Sequence, residues 1–264
     1  MLHFKQYDAP NSELVSYNHK PLVMLHGLFG SLENLAGIAR PLAAQRPVYS
    51  LDLPNHGRSA HTDICNLEVM AVAVSDWLLE QGLTQVDLLG HSLGGKVAME
   101  VALTVPERIG RLLVVDIAPV AYSSGHDNVF QGLMSINLDT LKSRQEADQY
   151  LQSYVQEIAV RSFLLKNLVK QASGGFAWRV NLAGLHAGYS DLLKENSRDM
   201  CFPGPTLFVK GGDSDYLQES YRDEILARFP DTSLKVVSNT GHWLHAEKPD
   251  IVAKIVNNFL GDSE

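Results

Sequence analysis

The chain has 264 residues, 45% of them hydrophobic and 20% charged, which is the composition of a globular protein with enough apolar chain for a full core. Its formal net charge of -8 at pH 7 sets a mostly repulsive field against a phosphate backbone, so nucleic acid is not an expected partner. MLHFKQYDAP holds no continuous apolar leader, no run approaches the roughly 20 apolar residues of a membrane span, and Cys65 and Cys201 match no metal or dithiol spacing, so the expectation is a cytoplasmic chain with two free thiols and no membrane partner.

In chain order, LHFKQY and ELVSY read as two short strands of a hairpin around the turn residues APN. PLVMLHG (21–27) is an almost wholly apolar run of strand length ending in Gly, the pattern of a strand buried on both faces. The form recurs in PVYSLD (47–52), QVDLLG (85–90), RLLVVD (111–116), TLFVKG (206–211) and SLKVV (233–237). Helical periodicity fills the gaps, most clearly in NLEVMAVAVSDWLLEQG (66–82), with an Asn cap and a Gly stop. LENLAGIARPLAAQ, SLGGKVAMEVALTVP, QESYRDEILARFP and KPDIVAKIVNNFLG read the same way. Strands alternating with helices predict a mostly parallel α/β sheet covered on both faces.

The alternation fails between 119 and 200, where helix-like mixtures such as TLKSRQEADQYLQSYVQEI and AVRSFLLKNLVKQA replace buried strands. Counting both N-terminal strands, this places a helical lid between strands six and seven, over the carboxyl ends where open sheets hold ligands. The expected domains are a core of 1–118 and 201–264 and a cap of 119–200.

The strongest chemical signal is DLLGHSLGGKVAME (87–100), with G-x-S-x-G at Gly90 to Gly94 between an apolar strand and a helix. A serine on such a sharp turn projects above the sheet, and the small flanking residues let backbones approach. Ser92 is therefore the candidate nucleophile, with the Leu93 N–H as one oxyanion donor. LHGLFG (25–30) supplies the other from Leu28, with Phe29 as the alternative; His26 is expected to brace that loop. A base should come late in the chain. His242 in NTGHWLHAEKP follows the last strand and is favoured over His245, and Trp243 is a packing or pocket residue. For the acid, Asp116 closes RLLVVD, while FVKGGDSDY offers Asp215 and Asp213 one strand later; spacing does not choose between them. Phe29, Phe130, Met134, Trp178 and Trp243 are candidate pocket residues, with Phe163, Leu164 and Leu185 as further apolar cap positions. His56 and Arg58 in LDLPNHGRS are read mainly as loop-bracing residues. No nucleotide-binding glycine motif and no zinc spacing occurs, so neither cofactor nor metal is expected.

LHGLFGSLENL, NHGRS, GHSLGGKVAM, VVDIAPV, GG-x-S-x-Y at 211–216 and GHWLHAEKPD together resemble the α/β-hydrolase superfamily, and within it the YbfF-type bacterial esterases and their mitochondrial relatives, over essentially the full chain. The resemblance implies the α/β-hydrolase fold and a serine esterase acting on short to medium acyl esters. The ordinary superfamily pattern implies Asp215 as the acid; the YbfF-like DIAP stretch implies Asp116, which is preferred. A small-molecule ester or thioester is the implied substrate. Alternatives are an acyl-CoA thioesterase, a carbon–carbon hydrolase or lyase on the same triad, and a catalytically silent binding protein.

Overall fold

A computed structural model describes residues 1–8 and 19–261. Its strands are β1 (Phe4–Tyr7), β2 (Leu22–Leu25), β3 (Val48–Leu51), β4 (Val86–His91), β5 (Ile109–Val115), β6 (Leu168–Lys170), β7 (Phe176–Trp178), β8 (Thr206–Gly211) and β9 (Thr232–Val237). Seven of them form one sheet in the order β1-β3-β2-β4-β5-β8-β9. β1 runs antiparallel to β3, and the other neighbours are parallel. β1 pairs with β3 in the register Phe4 to Leu51; the second strand of the expected hairpin, at 13–17, lies outside the described residues.

The helices are α1 (Ala36–Leu42), α2 (Leu67–Glu80), α3 (Leu93–Thr104), α4 (Asp127–Ser135), α5 (Arg144–Leu151), α6 (Ile158–Leu164), α7 (Leu182–Ala187), α8 (Tyr189–Leu192), α9 (Arg222–Arg228), α10 (Leu244–Glu247) and α11 (Pro249–Leu260). Side chains alternate across a strand, so each central strand feeds two cores. Val23, Leu88 and Val114 pack on one face with Met70 and Trp77 of α2 and Val97 and Val101 of α3. Met24, Leu89 and Leu113 pack on the other with Ile38 of α1 and Val252 and Val256 of α11. That double coverage is why these strands are apolar throughout. The Asn66 side chain accepts the Val69 N–H at 2.8 Å, capping α2, and Gly82 at φ +67° stops it. Losing such a cap costs about 1 kcal/mol.

Between β5 and β8 the chain forms α4 to α8 and a small hairpin of β6 and β7. The hairpin escaped the sequence pattern because its strands are only three residues long and mostly half-exposed. Its turn uses Gly174 and Gly175 at φ +93° and +79°. Both ends of this insertion are fastened to α3. The Lys96 ammonium donates to Val120 O at 2.7 Å and also to Lys194 O, while Asn196 Nδ2 donates to Lys96 O at 2.8 Å. The Tyr122 N–H to Leu193 O bond of 2.9 Å joins the two ends directly.

Candidate active site

The turn from β4 into α3 holds Ser92 at φ 54° and ψ -121°, a left-handed conformation for a residue with a Cβ. Such a conformation costs about 1–3 kcal/mol and persists only where its surroundings enforce it. Here the glycines enforce it. A Cβ on Gly90 would lie 2.0 Å from Gly94 O, and one on Gly94 would lie 2.3 Å from Leu25 O, so β4, α3 and β2 approach at distances only glycine permits. The Ser92 N–H donates to Val115 O at 3.0 Å, tying the turn to the end of β5.

One residue further along β5 lies Asp116, fully buried and also at positive φ, 55°. Its Oδ1 accepts the Gly211 N–H at 2.9 Å, and its Oδ2 accepts the Ser214 hydroxyl. Oδ2 also lies 2.8 Å from His242 Nδ1. With Nδ1 facing a carboxylate, that nitrogen carries the proton, leaving the Nε2 lone pair to accept from Ser92 Oγ at 2.9 Å. The Tyr216 ring stacks on the imidazole at 4.0 Å and 23°. The His91 Nε2–H donates to His242 O at 2.8 Å and holds the loop from behind. Three strand exits, after β4, β5 and β9, thus deliver one hydrogen-bonded chain from carboxylate to imidazole to hydroxyl.

A model of the alpha/beta hydrolase family matches residues 22–255. The chain belongs to that family. Similarity is also high to esterase YbfF of Escherichia coli, 36% identical over 93% of this chain and 95% of that protein. The sn-1-specific diacylglycerol lipase ABHD11 of Mus musculus is 38% identical, over 90% of this chain and 80% of its own length. Among solved structures, a marine microorganism esterase superposes with a TM-score of 0.92 at 33% identity, over 98% of both chains. The chain is accordingly an esterase-like member of the alpha/beta hydrolases.

Besides His126, the residues His26, His56, His91 and His245 of this hydrolase lie around the site, and their contacts set them apart from His242. His26 accepts the Leu53 N–H on Nε2 at 3.1 Å, with Nδ1 2.8 Å from Gly27 O. His56 accepts the Phe29 N–H on Nε2 at 3.3 Å, with Nδ1 2.9 Å from Pro54 O. Each ring therefore donates from Nδ1 to a carbonyl and is neutral; burial pushes His26 down to about 4 and His56 to about 3. Burial, reinforced by neighbouring imidazoles, lowers His91 as well. His245 is lowered to about 4 for the same reason, and its Nδ1 meets no partner among the described residues. Loop-bracing by His26 and His56 is what the geometry displays.

The competing carboxylates lie elsewhere. Asp215 is exposed, bordering a cavity beside Ser92, and its carbonyl accepts from Gln218 Nε2 at 2.9 Å. Asp213 is exposed and donates its N–H to Thr240 O at 2.9 Å. Between them Ser214 turns inward to Asp116. Ser214, Tyr216 and the Lys96 clasp went unremarked in the sequence, although GG-x-S-x-Y contains the first two. Cys65 and Cys201 are both free.

Two cavities meet at Ser92. The larger, about 320 Å³, is bordered by Leu28, Leu93, Ile117, Tyr122, Tyr189 and Tyr216 among others. The smaller, about 100 Å³, is bordered by Phe29, Val160, Phe163, Leu164, His242 and Trp243 among others. Phe29 and Trp243 thus reach a cavity wall, but three other candidate residues do not. Met134 is 49% exposed near the end of α4, whose buried residues are Phe130, Gly132 and Leu133. Phe130 is fully buried, its ring 4.9 Å from that of Phe29, and supports the wall from behind. Trp178 lies in β7, paired with Leu168, and borders neither cavity. Leu185 is fully buried in α7 as cap packing.

Proposed function

We propose that the protein is a serine carboxylic-ester hydrolase that forms an acyl-enzyme on Ser92, with His242 as base and Asp116 as acid, acting on short to medium acyl esters. One observation carries this reading: His242 is within 2.8 Å of Asp116 and 2.9 Å of Ser92 through its two different ring nitrogens. As the Ser92 hydroxyl attacks the ester carbonyl, its proton passes to His242 Nε2, and the imidazolium is stabilised by Asp116, which stays ionised. The negative charge grows on the carbonyl oxygen near the start of α3, where the Leu93 and Leu28 N–H groups receive it; such a donor contributes about 3 kcal/mol or more. Phe29 is unsuited to that task because its N–H is committed to His56. His242 then gives its proton to the departing alkoxide. Water, deprotonated by the same nitrogen, releases the acid and restores Ser92.

A leaving group takes its proton from His242, so it sits on the side His242 lines, in the smaller cavity. The acyl chain then occupies the larger cavity. Residues 119–200 act as a cap that supplies Tyr122, Phe163 and Tyr189 to these walls, and they limit water at the ester.

Stopped-flow hydrolysis of p-nitrophenyl butyrate beside butyryl-CoA tests the reading. A p-nitrophenol burst stoichiometric with enzyme, absent from Ser92→Ala, with the thioester turned over more slowly, is the expected result. Turnover of the thioester alone would replace the esterase by a thioesterase. Turnover of neither would remove the acyl-transfer assignment.

A further inference from the structure

Among the described residues, three border both cavities: Leu28, Ser92 and His126. An ester bound with its acyl chain in one cavity and its alcohol in the other has its scissile bond at that junction. Ser92 is the attacking group there, and Leu28 brings an N–H. His126 comes from the first turn of the cap, just before α4, and the mechanism above gives it no task.

Its hydrogen bonds determine what it presents. His126 Nδ1 lies 2.6 Å from the Tyr189 hydroxyl, and that same oxygen accepts the Gly125 N–H at 3.3 Å. In the tautomer in which the Tyr189 hydroxyl donates to Nδ1, the ring proton lies on Nε2. Burial, together with the nearby His242, lowers the His126 pKa, so the ring is neutral. The Phe29 ring, 6.2 Å away edge-on, and Tyr189, 5.8 Å away, fix its plane. In that tautomer a neutral N–H donor stands among the otherwise mainly apolar cap side chains at the point where the two cavities join.

Resting on the esterase reading, we infer that His126 contacts the substrate, donating its Nε2–H to the alkoxy oxygen of the bound ester and holding the scissile bond across the junction. The donor stabilises negative charge as the C–O bond breaks, while the proton that leaves with the alcohol still comes from His242. The benefit is largest for alcohols that are poor leaving groups, so the natural substrates belong to the class of unactivated alkyl esters.

The test is kcat/KM on two butyrates, p-nitrophenyl and n-butyl, for wild type, His126→Phe, His126→Gln and Tyr189→Phe. In His126→Phe the alkyl ester is expected to lose about tenfold or more beyond any loss on the p-nitrophenyl ester, about the effect of one hydrogen bond to a developing charge. His126→Gln, whose amide N–H reaches the Nε2 position, recovers most of that difference. Tyr189→Phe, which releases the tautomer, shows a smaller loss of the same selectivity. Equal losses on both esters in His126→Phe would reduce the residue to a shaping role and overturn the inference, as would failure of His126→Gln to restore the alkyl ester in a variant that melts like wild type. Those outcomes leave the triad intact; absence of wild-type activity on both esters would overturn the esterase reading and this inference together.

Discussion

The loops that leave β5 and β8 each carry carboxylates to the same edge of the sheet, and only one delivers a carboxylate to His242. Asp116, after β5, is fully buried, held at φ 55° and given three hydrogen-bond donors by Gly211, Ser214 and His242. Asp213 and Asp215, after β8, point to solvent or the cavity rim, and the residue between them, Ser214, faces inward as a donor. The contrast teaches that proximity to the site does not make an acid. A carboxylate that orients an imidazole must be dry and hydrogen-bonded on its remaining lone pairs, so that its charge is neither screened nor free to rotate.

The sharpest way to break the contrast is to neutralise each carboxylate. Asp116→Asn keeps the shape and removes the charge, and is expected to lower kcat by about 10³- to 10⁴-fold with a near-native melting curve. Removing the β8 loop's contribution with Ser214→Ala deletes one donor to Asp116 Oδ2. Its expected cost is about tenfold in kcat with KM little changed, on the scale of one hydrogen bond to a charged group; a drop confined to KM would show that Ser214 serves the cavity instead.

Burial separates the histidines in the same way, and pH reads it out. His26, His56, His91 and His245 have pKa values depressed in the folded chain. Below about pH 6.5 the unfolded chain binds protons that these rings refuse, so stability rises with pH across this window and falls as pH drops from 6.5 toward 4. Thermal melting from pH 7.5 to 4.5 should show Tm declining below 6.5, and His56→Gln, although less stable at pH 7.5, should decline less steeply. A flat Tm over that interval would mean that these rings titrate normally. The smallest effect belongs to Asp215→Asn, with kcat on p-nitrophenyl butyrate changed by less than about threefold, because an exposed carboxylate is screened by water; a loss matching that of Asp116→Asn would reverse the assignment of the acid.

The parallel strands were legible because burial on both faces leaves runs such as LVML without polar positions, and β4 is buried throughout with Leu88 and Leu89 between the polar Asp87 and His91. The sharp turn at Ser92 was legible for a local reason: a strand, a tight turn and a helix leave a five-residue signature. Which carboxylate meets His242 was not legible from spacing, since both loops reach the same edge and only packing decides which side chain turns inward. The cap was legible as helical but not in its particulars. Met134 and Phe130 are four positions apart and share a helix face, so periodicity gives both the same expectation, and only the packing around the end of α4 leaves Met134 exposed. His126 and Tyr189 are distant in sequence and meet only once the cap has folded back over β4 and β5.

The central claim is a covalent acyl intermediate on Ser92. Its most direct test is rapid acid quench of wild type during turnover of p-nitrophenyl butyrate, followed by peptide mass analysis. The account predicts a butyryl mass increment on the peptide containing Ser92, absent when Ser92 is Ala. Steady turnover with no acylated peptide in wild type, or undiminished turnover in Ser92→Ala, would contradict it.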